Sequence, residues 1–95
     1  MLPHHRLPTH PGQVLHEEFL LPLGITQVAL ADHIEVPLQR VQAIVRGNRG
    51  MTAATAWLFA GAFDTTPQFW LNLQTQRDLA RCKPKRAVRR IEKSA

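Results

Sequence analysis

The strongest constraint on the fold of this chain is Ile25–Val41, where one helical pattern gives way to a second after only a few residues. In the first pattern, Leu30, Ala31 and Ile34 share one helix face. Thr26 precedes them and can accept hydrogen bonds from the free N–H groups of the first turn. Ala31 is small enough to let a second helix cross closely. The segment therefore predicts a capped helix followed by a tight corner.

The second pattern follows Val36 and has Pro37 at its predicted first helical position, which suits a proline. Val41 and Ile44 form its inner face. Two helices joined in this way form a helix-turn-helix, which offers the N-terminal half of its second helix to the major groove of DNA. Glu35 stands at the corner, where glycine is common because the backbone usually needs a positive φ. If the two helices meet at the usual angle, we predict a positive φ for Glu35, at a cost of about 1 kcal/mol. The alternative is a corner of slightly different geometry.

The outward side of the second helix and the turn after it are polar and basic. No acid lies between Pro37 and Met51, so arginines set the local charge. Gln27, at the start of the first helix, can meet a phosphate together with the N–H groups of that helix. An ordinary pair of packed helices is the alternative interpretation. The residues that this pattern predicts to face DNA are Gln27, Leu38, Gln39, Arg40, Gln42, Arg46 and Arg49.

The composition predicts one small domain. A chain of 95 residues, 44% of them hydrophobic, can bury one core but not two. It has no run of about 20 apolar residues, the length that a membrane span needs, and Met1–Arg6 lacks the apolar stretch of a signal peptide. Cys82 is the only cysteine, which excludes an internal disulfide and favours a reducing compartment. We therefore expect a cytoplasmic protein with no membrane segment.

The net charge of +5 comes from the end of the chain. Seven of the twelve basic residues and one acid follow Ala80, so residues 81–95 carry +6 and residues 1–80 carry −1. This tail is either a basic arm that follows phosphates or a solvated terminus without a fixed partner. The predicted division is a flexible N-terminal segment at 1–8, a helix-turn-helix DNA-binding domain at 9–82, and a basic tail at 83–95 that is disordered or weakly helical.

The remaining patterns predict a compact all-α fold of five helices. Pro11 and Gly12 open the first helix and Gly24 closes it. Thr52 caps the fourth helix, and Thr66 caps a fifth that ends near Cys82. No segment alternates with the two-residue period of a strand.

Helices four and five carry more large apolar residues than a small core needs. Trp70 is the most easily assigned to the core, whereas Trp57, Leu58 and Leu71 extend beyond the core-facing positions. These extra residues either complete the core or contact a second protein. Because helix-turn-helix proteins usually bind paired half-sites, we predict that Trp57, Leu58 and Leu71 belong to a dimer or partner interface.

The titratable residues do not form a recognisable catalytic or metal site. Four of the five histidines lie within the first 16 residues, without the spacing of helical zinc ligands. Cys82 has basic neighbours but no partner base that would make it a nucleophile. We predict no enzymatic activity, no metal and no cofactor.

With these residues laid out, the chain resembles the HigA family of bacterial antitoxins, a branch of the Cro/repressor-type helix-turn-helix proteins. The resemblance covers about residues 9–80 and is most specific over Thr66–Gln74, a signature that a generic repressor domain would not carry. The other matching segments are His10–Leu15, Gly24–Gln27, Val36–Val41 and Ile44–Gly47. Antitoxins of this family dimerise, repress their own operon and neutralise a HigB-type toxin, a ribosome-dependent mRNA-cleaving nuclease of the RelE superfamily. The resemblance therefore implies three partners: an inverted-repeat operator, a HigB/RelE-like toxin and a second copy of the chain.

The resemblance also implies roles for individual residues. It assigns Gln27 to a phosphate, and Asn48 and Arg49 to the DNA backbone. The residues that match its groove-facing positions are Pro37, Leu38, Gln39, Arg40 and Ala43. The departures from the family pattern are Glu35, Trp57, Leu58 and the basic tail.

Three functions fit the sequence. The first is an antitoxin that binds operator DNA and a toxin. The second is a stand-alone repressor without a toxin partner. The third is a protein-interaction module that has lost DNA binding, and the arginines of residues 40–49 argue against it.

Overall fold

The computed structural model describes residues 8–92, and every regular element in that range is helical. The predicted five-helix, all-α fold is thereby confirmed. The helices are α1 (Pro11–Leu23), α2 (Gln27–His33), α3 (Leu38–Val45), α4 (Ala53–Phe63) and α5 (Pro67–Arg81). Most of the predicted flexible segment, residues 1–7, and the end of the predicted tail, residues 93–95, lie outside the described residues.

No single helix between residues 8 and 92 is long and apolar enough to cross a membrane. Helices α1 and α2 together have the length and composition of a span, but they meet at a bend of 96°.

Threonine hydroxyls cap the N-termini of three of the helices. Thr26 accepts a hydrogen bond from the N–H of Ala29 at 3.0 Å, and Thr66 accepts one from the N–H of Phe69 at 3.1 Å. Thr52 caps α4 in the same way. Each hydroxyl satisfies an N–H that the first helical turn leaves without a backbone partner. The starts predicted from these threonines are confirmed.

Helix α3 begins one residue later than predicted. Pro37 is the N-cap residue, with an extended ψ of 142°, and Leu38 is the first helical residue. The carbonyl of Pro37 accepts a hydrogen bond from the N–H of Arg40 at 3.0 Å. The ring fixes φ but leaves ψ free, so a proline serves as a cap as readily as a first helical residue.

The corner between α2 and α3 has the geometry that the sequence predicted. Glu35 has a φ of +57°, in the left-handed region. The N–H of Val36 donates to the carbonyl of Ala31 at 3.0 Å, which closes the turn over the end of α2. Ala31 is buried.

Helix α1 crosses α3 at very short range. The contact is made by Gly12, because a Cβ on that residue would overlap the carbonyl of Ile44 and come within 3.0 Å of the Cα of Val45. The missing side chain therefore sets how closely the N-terminus of α1 approaches α3.

The core is centred on Trp70, which is fully buried together with Phe59 and Leu15. The ring centroids of Phe19 and Phe59 each lie 5.1 Å from that of Trp70. The indole N–H donates to the Thr65 hydroxyl at 2.8 Å, so the polar edge of the ring is satisfied. The assignment of Trp70 to the core is confirmed.

Candidate nucleic-acid interface

Helix α3 turns its polar residues outward because Val41 and Ile44 are fully buried on its opposite side. Pro37 and Gln39 are exposed at its N-terminal end, and three further predicted residues are half-buried along the same helix: Arg40, Gln42 and Ala43. Residues three or four positions apart are neighbours on a helix surface. Gln39, Gln42 and Ala43 therefore form one continuous strip.

Leu38 and Gln27 are less accessible than the sequence suggested. Leu38, predicted to point outward, is half-buried and packs against the core. Leu38 is apolar and stands at the end of a helix that lies on the core. Burying part of its side chain against that core is therefore favourable, because it removes apolar surface from water. Gln27 is the first residue of α2 and is also half-buried.

The turn after α3, here called loop 46–50, carries a second group of polar side chains. Gly47 has a φ of +79° and ends the helix. The N–H groups of Asn48 and Arg49 both donate to the carbonyl of Ala43, at 2.9 and 3.2 Å. These bonds fix the backbone while the side chains of Arg46, Asn48 and Arg49 stay exposed. The structure thus brings two exposed arginines next to the end of the predicted recognition helix.

Gln74 of α5 holds the end of loop 46–50, a contact that the sequence analysis missed. Its Oε1 accepts the N–H of Met51 at 2.7 Å, and its Nε2 donates to the Oδ1 of Asp78 at 2.9 Å. A Cβ on Gly50 would lie 2.9 Å from the same Oε1, so a side chain at that position would displace the amide. The only sequence signal for this role is that Gln74 ends the specific Thr66–Gln74 signature.

His10 supports the same loop from the other side and was also missed. Its Nδ1 accepts the N–H of Gly12 at 2.9 Å, which caps α1. A Cβ on Gly47 would lie 4.0 Å from the His10 ring, so the ring packs beneath loop 46–50. Burial lowers the pKa of His10 below its ordinary value, and the charges of Arg77 and then Arg81 lower it further, against an opposing effect of Asp78. The neutral ring is the form that can accept the hydrogen bond.

Arg77 ties the segment before α1 to α5. Its Nη1 donates to the carbonyl of Pro8 at 2.9 Å. The last two turns of α5 are therefore fixed to Pro8 and, through Gln74, to Met51 at the end of loop 46–50.

The three residues predicted for a dimer or partner interface lie in different surroundings. Trp57 is 68% exposed and Leu58 is 36% exposed on α4. Leu71 is half-buried and packs against the core. Trp57 and Leu58 thus form the more accessible apolar patch.

Within residues 8–92, no group of three or more histidine, cysteine, aspartate or glutamate residues is placed to hold a metal ion. His4 and His5 lie outside the described residues. Cys82 is a free, exposed thiol.

Sequence comparisons find helix-turn-helix relatives. The helix-turn-helix family profile matches residues 17–70. Virulence-associated protein I of Dichelobacter nodosus is 46% identical over 70 residues, which cover 74% of this chain and 65% of that protein. Antitoxin HigA-1 of Vibrio cholerae is 42% identical over 74 residues, which cover 78% of this chain and 70% of that protein. The chain thus spans about two thirds of the length of these relatives.

Solved structures of similar shape include proteins bound to DNA. The Pseudomonas aeruginosa antitoxin HigA with the higBA promoter is 43% identical and has a TM-score of 0.76, over 78% of this chain and 80% of that chain. Antitoxin GraA in complex with its operator is 35% identical and has a TM-score of 0.83, over 98% of this chain and 100% of that chain.

Proposed function

This chain belongs to the HigA family of helix-turn-helix antitoxins, and from that premise we propose that it represses its own operon and neutralises a HigB/RelE-like mRNA-cleaving toxin. One observation supports the DNA-binding part of this proposal. The outward strip of α3 and loop 46–50 are adjacent and expose polar and basic side chains, with no acid between Pro37 and Met51. The relatives solved with promoter or operator DNA support the same assignment.

In this proposal, α3 enters the major groove with its N-terminal half. Gln39 and Arg40 contact base edges, because an amide pairs well with adenine and a guanidinium with guanine. Gln42 and Ala43 line the groove one turn further along. The exposed part of Leu38 offers an apolar contact to a thymine methyl group.

A second set of residues positions the protein on the phosphates without reading sequence. Gln27 acts at the N-terminus of α2, where N–H groups favour an anion, and Pro37 lies at the entry to the groove. The loop residues that contact phosphate are Arg46, Asn48 and Arg49.

A two-fold dimer on an inverted repeat follows from the size of one recognition helix. Two such helices about 34 Å apart read successive major grooves, whereas one reads only a single face. Trp57 and Leu58 supply the exposed apolar surface for the dimer or for a partner, and Leu71 contributes through its half-exposed edge. Sedimentation that shows only monomer at micromolar concentration, with and without operator, would contradict the dimer.

The readout is tested by titrating the protein against operators with single base changes. Gln39→Ala should cost about 1–3 kcal/mol of binding and relax specificity at one base pair per half-site. Gln76→Ala, an exposed glutamine on α5, is the matched control. Unchanged discrimination by Gln39→Ala would show that α3 is placed wrongly in the groove.

Toxin neutralisation is assigned to the folded domain. Residues 1–80 carry a charge of only −1, so they do not repel a basic nuclease, whereas the +6 tail does. The toxin is then held by protein contacts that block its access to RNA or to the ribosome. Co-expression with the toxin from the reading frame next to this gene should give a stable complex. It should also restore the growth that the toxin alone inhibits.

A stand-alone repressor is the second candidate, because a similar protein of Haemophilus influenzae, 45% identical over 74 residues, bears the name uncharacterized HTH-type transcriptional regulator. The same co-expression separates the two functions. A neighbouring frame that is harmless alone and forms no complex favours the repressor.

A further inference from the structure

A second basic surface lies outside the helix-turn-helix. Residues 83–92 contain no helix, and every side chain among them is exposed. Five of these ten residues are basic and one is acidic: Lys83, Lys85, Arg86, Arg89, Arg90 and Glu92. None of the five forms a hydrogen bond or ion pair within the described part of the chain, so folding leaves their charges available for a partner.

This basic segment follows α5, the helix that is tied to the end of loop 46–50. Gln74 bonds to Met51 at the end of the loop, and Arg77 bonds to Pro8 one turn later. Helix α5 ends at Arg81, one turn beyond Arg77, and the basic segment begins two residues later. The tail therefore continues from a helix that contacts the end of the loop carrying Arg49.

The distribution of charge points to a polyanion. The domain up to residue 80 carries −1, and its outward arginines at α3 and loop 46–50 are few. Residues 83–92 carry +4, five basic residues against one acid, and residues 81–95 together carry +6. We propose that residues 83–92 bind the phosphates of duplex DNA next to those contacted by loop 46–50, an inference that rests on the proposed function because it assumes that α3 faces the duplex.

The length of the tail suits this role. Ten extended residues reach about 33 Å, which is close to one turn of B-DNA, about 34 Å. Phosphates recur along that whole path and carry no sequence information. The tail should therefore add affinity for operator and for unrelated duplex alike, and leave their ratio unchanged.

The test is a DNA titration of the full-length protein over a range of salt concentrations. The variant combines Lys83→Gln, Lys85→Gln, Arg86→Gln, Arg89→Gln and Arg90→Gln. The control keeps every charge: Lys83→Arg, Lys85→Arg, Arg86→Lys, Arg89→Lys and Arg90→Lys. Each phosphate contact contributes about 0.9 to the steepness of log affinity against log salt. If the tail makes two contacts in each protomer of a dimer, removing them should flatten this slope by about 3 to 4.

We expect the glutamine variant to bind operator and scrambled duplex at least about tenfold more weakly near 0.1 M salt, with that flatter slope. The control should bind like the natural chain. An unchanged slope and affinity in the glutamine variant would overturn the role of the tail, and would leave the proposed function intact if operator is still preferred. Conversely, equal binding of operator and scrambled duplex by the natural chain, with weaker binding of both by the glutamine variant, would contradict the proposed function. That result would leave the role of the tail intact. Binding that the charge-retaining control also loses would overturn the phosphate inference.

Discussion

Two regions of this molecule form the candidate nucleic-acid interface, one by exposing side chains and the other by supporting the backbone behind them. Helices α2 and α3 are neighbours in sequence, and they expose the residues that meet DNA in the proposed function. Residues 8–12 and α5 lie far apart in sequence, yet Arg77 joins them by its bond to Pro8. His10 lies close to Gly47 of loop 46–50, and Gln74 bonds to Met51 at the end of that loop. In the proposed function, the first region contacts the bases and the second region holds the first in position. A recognition surface in so small a domain therefore depends on contacts that bear no DNA chemistry.

The largest expected effect is at the closest contact of the supporting region. Gly12→Ala places a Cβ against the carbonyl of Ile44, so α1 must move away from α3. We expect a loss of about 3 kcal/mol in the free energy of unfolding, measured by chemical denaturation. Gly61→Ala, on an exposed part of α4 where a Cβ meets nothing within 4 Å, is the control and should stabilise by about 0.5–1 kcal/mol. Equal stability of the Gly12 variant and the natural chain would mean that α1 and α3 are not in this contact.

Gln74→Met tests whether support and readout are coupled. It keeps the length of the side chain but leaves the N–H of Met51 without its partner, which costs about 1–3 kcal/mol of stability. If loop 46–50 then moves, one phosphate contact per protomer is lost, and the salt slope of operator binding falls by about 2 in a dimer. Gln76→Met is the matched control.

The decisive measurement is the salt slope of operator binding by the double variant that combines Gln74→Met with Arg49→Ala. A positioning role requires that Gln74→Met adds nothing to the slope change once Arg49 is removed. A stability loss with an unchanged slope would make Gln74 a purely structural residue.

The difference between the two regions also explains what the sequence predicts. The capped start of α2, the positive φ of Glu35 and the buried Trp70 follow from local spacing, and the structure has all three. Pro37 was placed one residue too far into α3, because its φ fits both positions. Helical spacing and the family resemblance both place Leu38 outward, although neighbouring elements bury part of it. Periodicity describes one helix at a time and carries no information about its neighbours.

The supporting contacts could not be predicted for the same reason. Gln74 and Met51 are separated by 23 positions, and Arg77 and Pro8 by 69. His10 looked like one of several histidines near the N-terminus, and only the fold shows that its ring caps α1 and packs beneath Gly47.

A smaller effect is expected from the titration of His10. Burial, followed by the charges of Arg77 and Arg81, depresses the folded-state pKa below the ordinary value of 6.5. The unfolded chain then binds a proton at a higher pH than the folded chain, so stability rises with pH in that window. The contribution is complete above about 6.5 and is lost as the pH falls through the folded-state pKa. His10→Asn keeps a capping acceptor and should flatten this pH dependence, whereas His33→Asn, at an exposed histidine, should not. Identical pH profiles for the His10 variant and the natural chain would contradict the role of the ring.

The smallest effect is expected in the reading region itself, at the corner. Glu35 and Asp64 are the two non-glycine residues with positive φ among residues 8–92, at +57° and +56°. A left-handed backbone costs an ordinary side chain about 1 kcal/mol, but aspartate tolerates it better than glutamate. Glu35→Gly should therefore be neutral or stabilise by up to about 1 kcal/mol, since relief of the backbone is partly offset by the greater freedom of glycine in the unfolded chain. Asp64→Gly should gain less or lose slightly. Denaturation midpoints of the two variants measure this difference, and a clear drop for Glu35→Gly would show that the glutamate side chain contributes more to the corner than its backbone costs.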